Sequence, residues 1–148
     1  MYLGLVMDIR GEPLCRIWVS GYPKSSQADR RNLERYKKGI RIAARRVATK
    51  PTKSRRLDVE IFFQAESLLR PDVDNIIKPI LDALTGVLYE DDSQVRSVKI
   101  TALPSLEEGA YVMSGQVKID VLNRLTKHPP KEFLINIYEG SVIHDDLL

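Results

Sequence analysis

From Asn75 to Thr85 the chain reads NIIKPILDALT, and its only polar side chains are Asn75, Lys78, Asp82 and Thr85. Those positions (i, i+3, i+7, i+10) form one narrow stripe on an α-helix. Ile76, Ile77, Ile80, Leu81, Ala83 and Leu84 cover the rest of the surface. An ordinary surface helix has the opposite proportions, so this one must be largely buried with a single polar seam. A buried charge needs a partner or a metal, which turns the seam towards a site. Asn75 is a good N-cap type at the expected start, and Gly86 ends the helix in the left-handed conformation that glycine tolerates. Pro79 comes early enough to be absorbed in the first turns, at the cost of a hydrogen bond or a kink.

Both flanks of this helix are acidic. Pro71 keeps Arg70 extended, so Asp72 and Asp74 are expected on an extended approach, where residues i and i+2 share a face. On the far side stand Glu90, Asp91 and Asp92. Adjacent residues on an extended chain face opposite ways, so only one of Asp91 and Asp92 enters the site. Carboxylates gathered this closely repel, and a divalent cation relieves the repulsion; their hard oxygens suit magnesium or manganese. One or two such ions would serve phosphoryl transfer, with Lys78 neutralising developing phosphate charge. Plainer readings exist for each part. Lys78 and Asp82, at i and i+4, also suit an ion pair. Asp72 and Asp74 also suit turn and cap chemistry, although that leaves the second acidic cluster without an explanation.

Charge is distributed unevenly along the 148 residues, despite a net charge of only +3. Arg30, Arg31, Arg35, Lys37, Lys38, Arg41, Arg45, Arg46, Lys50, Lys53, Arg55 and Arg56 are twelve of the 23 basic residues, with Glu34 the only acid among them. A field this one-sided points to a polyanion, and nucleic acid fits best; the plain alternative is a solvated helix face. Lys24, Arg30, Arg31, Lys37, Lys38, Arg41, Arg45 and Arg46 are the expected DNA contacts. Cys15 is alone, which excludes an internal disulfide and a cysteine zinc site. His128 and His144, the only histidines, exclude a His-rich metal site. No apolar run approaches membrane-spanning length, and the start MYLGLVMDIR is a poor signal peptide. A cytoplasmic protein is expected.

The patterning predicts one α+β domain, a mixed sheet with two main helices. Cys15, Ile17 and Val19 alternate with polar neighbours in a first strand. A long helix follows over 29–48, capped by Asp29, with Leu33, Tyr36, Ile40, Ala43 and Val47 as its apolar stripe. Residues 49–56 form a basic linker. Leu57, Val59, Ile61 and Phe63 mark the clearest strand, and Val95–Thr101 another. Val117, Ile119 and Val121 share a face in an expected strand over 115–122, and Phe133–Tyr138 suggests a short terminal strand. Trp18 is expected in the core. Tyr22 and Tyr36, near the basic region, are weaker candidates for nucleic-acid contact.

RPDVDNIIKPILDAL followed by YEDDSQV resembles the signature of the RusA-type Holliday junction resolvases. The matching residues are Asp72, Asp74, Asn75, Lys78, Asp82-Ala83-Leu84, Asp91-Asp92 and Gln94-Val95. The likeness extends loosely over 15–121; the segments before Cys15 and after Asn123 exceed what the family core requires. The resemblance implies a small homodimeric, magnesium-dependent endonuclease, of a kind often carried by phages and prophages, that cuts four-way DNA junctions by paired incisions. It implies Asp72, Asp74 and Asp92 as catalytic metal ligands, assisted by Lys78, and selects Asp92 over Asp91. Candidate dimer surfaces are Val117–Leu122, Phe133–Tyr138 and Tyr2–Met7. Rival readings are a magnesium nuclease acting on other branched or replication-fork DNA, an inactive branched-DNA-binding protein, and a DxD-type transferase. The basic helix and the absence of a sugar-nucleotide motif oppose the last.

Overall fold

The computed structural model of the chain describes residues 12–64, 73–103, 119–125 and 131–140. Four strands, β1 (Cys15–Ser20), β2 (Leu57–Gln64), β3 (Val95–Leu103) and β4 (Glu132–Glu139), form one mixed sheet in the order β1-β4-β2-β3. β4 is antiparallel to both neighbours, whereas β2 and β3 are parallel. A parallel pair needs a crossover, and the helix α2 (Val73–Leu84) lies in it. The helices α1 (Arg30–Arg45) and α3 (Ile119–Leu125) complete the described architecture. The result is the α+β fold expected, with a mixed sheet and two main helices.

α1 and α2 cover one face of the sheet. Tyr36, Ile40 and Ala44 of α1 and Ile76, Ile80, Ala83 and Leu84 of α2 pack into the same core as Ile17, Val59, Ile61 and Ile135. The Asp29 carboxylate caps α1 by accepting from Asn32 N at 3.1 Å. α1 ends at Arg45, so Val47 lies beyond it and is exposed; Ala44 closes the buried stripe instead. Tyr36 belongs to the core, against Phe133.

The opposite face is also apolar. Phe62, Leu103 and Leu134 project from it, and Val121 and Leu125 of α3 cover them. The strand expected over 115–122 is therefore corrected: residues 119–122 are helical, and 115–118 lie outside the described residues. Val117, Ile119 and Val121 satisfy a period of two. Val121 and Leu125, one helical turn apart, carry the pattern that is buried. Trp18 stands at the edge of this second core, with the Arg124 guanidinium 4.0 Å from its ring centroid. Arg124 also pairs with Glu132 at 2.6 Å, tying α3 to β4.

β4 is the largest departure from expectation. It is a central strand, paired on both sides, with Phe133–Tyr138 buried throughout. Its one buried amide, Asn136, accepts from Arg16 Nε at 3.2 Å. This placement removes Phe133–Tyr138 as a dimer surface. Residues 119–122 belong to α3, which packs on the sheet, and Tyr2–Met7 lie outside the described residues. Burial pushes the Cys15 thiol up to about 11, so it behaves as a small apolar side chain of β1.

Removing β4 would expose one edge of β1 and one of β2 together with both cores. A chain truncated after Lys131 is expected to lose cooperative thermal unfolding, measured by circular dichroism. A cooperative melt close to that of the full chain would refute the strand order.

Candidate active site

α2 is already helical at Val73, two residues before its expected cap. Asp74 is therefore helical and not part of an extended approach, and Asn75 is an interior residue of the first turn. Asp72 lies outside the described residues, and for Asp74 only the backbone is described.

Pro79 is buried inside α2 and has no N–H to donate to the carbonyl four residues back, which belongs to Asn75. That carbonyl accepts instead from Ser26 N at 2.8 Å. Ser26 Oγ also donates to Asn75 Oδ1 at 3.1 Å. The missing helical bond thus becomes an anchor for the loop that carries Lys24. Sequence reasoning treated Pro79 only as a cost and missed this pairing; the signal available was the i−4 carbonyl that any helical proline leaves free.

At the other end, Thr85 N and Thr85 Oγ1 donate to Leu81 O at 3.1 and 2.8 Å, and Tyr89 OH donates to the same carbonyl at 2.8 Å. Gly86, at φ +84°, reverses the chain as expected and donates its N–H to Tyr89 O at 2.7 Å. Tyr89 is fully buried, and burial pushes its phenol well above its usual range. The fields of Asp92, Asp82 and Asp91 act in the same direction.

Asp91 and Asp92 occupy different roles in the next turn. Asp91 is the N-cap of a single 3-10 turn, Asp92–Gln94, and its carboxylate accepts from Ser93 N at 3.2 Å. Hydrogen bonds from Ser93 hold its carboxyl below the usual carboxylate range. Gln94 returns the cap by accepting from Asp91 N at 3.0 Å. Asp92 is exposed and lines an open cleft of about 230 Å³ with Ile77, Lys78, Leu81 and Asp82.

The cleft therefore gathers Asp92, Lys78 and Asp82. Lys78 is exposed and has no ion pair among the described residues. Its expected alternative partner, Asp82, is instead 3.8 Å from Lys37 of α1, which also lies 3.9 Å from Glu34. Among the described residues, no group of three or more His, Cys, Asp and Glu side chains is placed to hold a metal. Asp92 and Asp82 nevertheless bring hard carboxylate oxygens to one cleft beside an ammonium, which is donor chemistry suited to magnesium or manganese.

The basic residues spread over α1 and its approaches. Lys24, Arg30, Arg31, Lys38, Arg45 and Arg46 are exposed, and Arg41 is half-buried. Lys37 is half-buried in its ion pairs between α1 and α2. A second groove, of about 440 Å³, runs between the end of β1 and α1, with Tyr22, Lys24, Arg35 and Arg46 in its lining. No helix of the described residues is long and apolar enough to cross a membrane.

Residues 21–114 match the family described as Endodeoxyribonuclease RusA, a span that contains α1, α2, both acidic clusters and Gln94. The chain is also similar to the "Uncharacterized protein YqaN" of Bacillus subtilis (strain 168), 44% identical over 48 residues. That stretch spans 32% of this chain and 34% of the relative, about a third of each. With the family match covering more than half of its length, the chain belongs to the RusA endodeoxyribonuclease family.

Proposed function

We propose that the protein is a magnesium-dependent, structure-specific endodeoxyribonuclease that resolves four-way DNA junctions by paired phosphodiester incisions, acting as a homodimer in the cytoplasm. The observation that carries this reading is the shared cleft of Lys78 and Asp92 within a chain matched to the RusA family. Asp72, Asp74 and Asp92 would hold the ion, and Asp91 would be the weaker ligand because its carboxylate already caps the turn. Magnesium, or manganese in its place, would supply Lewis acidity and an activated water for phosphodiester hydrolysis. Lys78 presents its ammonium to the phosphoryl oxygens, where negative charge grows as the bond breaks. Lys24 and the exposed arginines and lysines of α1 bind the junction backbone, which fixes the substrate without reading sequence.

Labelled four-way, Y-shaped and linear DNA, each with and without magnesium, test the reading. Cleavage of the four-way junction alone, and only with the metal, supports it. Preferential cutting of Y-shaped DNA would replace it with a nuclease for other branched DNA. Binding without cutting would leave a branched-DNA-binding protein. Asp74→Asn or Asp92→Asn is expected to reduce incision by roughly a hundredfold or more while junction binding persists, because a lost acid removes a ligand and also a repulsive charge. Lys78→Ala is expected to slow single-turnover cleavage about tenfold or more, with a smaller change in affinity. Wild-type rates in any of these variants would sink the assignment.

Affinity should fall steeply with salt as phosphate contacts release counterions. Replacing Arg41, Arg45 and Arg46 together by Ala should flatten the log–log salt slope by roughly 0.9 for each phosphate no longer neutralised. An unchanged slope would place the DNA elsewhere.

A four-way junction has approximate two-fold symmetry, and the acidic motif occurs once per chain. Two copies related by a two-fold axis supply two matched cuts. Light scattering over a dilution series should give the mass of a dimer. A mixed dimer with one Asp92→Asn subunit should nick junctions and release few resolved duplexes. A stable monomer that makes both incisions at full rate would overturn the dimer.

A further inference from the structure

The Gln94 side chain makes four hydrogen bonds, all to backbone. Its Oε1 accepts from Glu90 N at 2.8 Å and Asp91 N at 3.0 Å. Its Nε2 donates to Thr52 O at 3.0 Å and Ser54 O at 2.7 Å. The amide oxygen and the amide nitrogen each make two bonds, so the side chain fixes the paths of two segments at once. One is the turn that carries Asp92. The other is the basic linker between α1 and β2, some forty residues earlier in the chain. The linker is also held by Thr52 N, which donates to Leu88 O at 2.8 Å, and by a bridge between Thr52 and Tyr89. The carbonyls of Thr52 and Ser54 both face Gln94, and Lys53 between them is exposed.

We propose that Gln94 is a positioning residue that binds the Asp92 turn and the linker into one unit, holding Lys53 as a phosphate contact at a fixed separation from the metal-ligand turn. The inference rests on the nuclease reading given above. Its physical basis is pre-organisation. A lysine on a free linker loses conformational freedom on meeting DNA, whereas one on a strapped linker has already lost much of it. Gln94 touches neither substrate nor metal in this role and acts through the backbone that flanks Lys53 and the backbone that leads into Asp92. A glutamate at position 94 would keep the acceptors for Glu90 N and Asp91 N but set a carboxylate against two carbonyls. Gln94→Glu therefore keeps the turn and releases the linker, while Gln94→Met frees both.

The test is the salt dependence of four-way junction binding in EDTA, below the melting temperature of every variant. Lys53→Ala should lower the log–log slope by about 0.9, one phosphate contact. Gln94→Glu and Gln94→Met should each lower it by a similar amount, and adding Lys53→Ala to either should lower it no further. A residue that merely stabilised the fold would shift the melting temperature and leave the slope alone. Should Gln94→Met fail to fold, Gln94→Glu carries the test, because its cap bonds persist. A wild-type slope in Gln94→Glu, or slopes that add in the double variant, overturns the inference. So does a Lys53→Ala variant with an unchanged slope. A wild-type chain that binds the junction yet never cuts it would overturn the nuclease reading alone. A chain that shows no salt-dependent binding at all removes both.

Discussion

A strand paired on both sides satisfies its own backbone and orders the strands beside it, and β4 holds that position here. Without it β1 has no partner among the described strands, and β2 keeps only its parallel pairing with β3. Because the sheet is apolar on both faces, its formation also creates two surfaces that need cover. α1 and α2 meet that need on one side and α3 on the other. The positions of α1 and α2, and so of the basic surface and the acidic cleft, follow from which sheet face they bury.

α2 is built to be embedded and still present polar groups. Its proline releases one carbonyl to a neighbouring loop, and its C-terminal turn gathers three donors on Leu81 O. Lys37 reaches Asp82 across the contact between the two helices. The bond to the loop and the ion pair each join the acidic unit to a segment that carries basic residues. Apolar packing on the sheet sets where the two segments lie, and these polar contacts add only modestly to it.

Local pattern carried most of this into the sequence. The Cys15–Ser20 and Leu57–Gln64 strands, the capped helix from Arg30 and the burial of the Ile76–Leu84 stretch were all legible, because each expresses one strong periodicity. The motif around Lys78 and Asp91-Asp92 was legible as a family resemblance, and the family match covers it. Several features were not legible. α3 is short, and its β-branched residues imitate a strand. The central place of β4 depends on pairing between residues far apart in sequence, which no local window contains. The choice of Asp92 over Asp91 came from the resemblance, but the capping bond that occupies Asp91 was not read. The Asp91-x-x-Gln94 spacing is the pattern of a capping box and could have revealed it. The bonds from Gln94 to Thr52 and Ser54 had no sequence signal of their own.

The register that pairs Cys15 with Ile137 has a kinetic consequence. During synthesis β1, α1, β2, α2 and β3 leave the ribosome before β4 exists, so β1 waits for its partner through most of translation. Closing so long a loop is entropically slow, and non-local pairing of this kind lowers folding rates. In the interval the apolar edges of β1 and β2 are open to other chains, which makes the nascent protein a natural client for chaperones. Until β4 docks, the sheet that supports the acidic cleft is incomplete, and a half-made chain carries the motif without the scaffold that aims it.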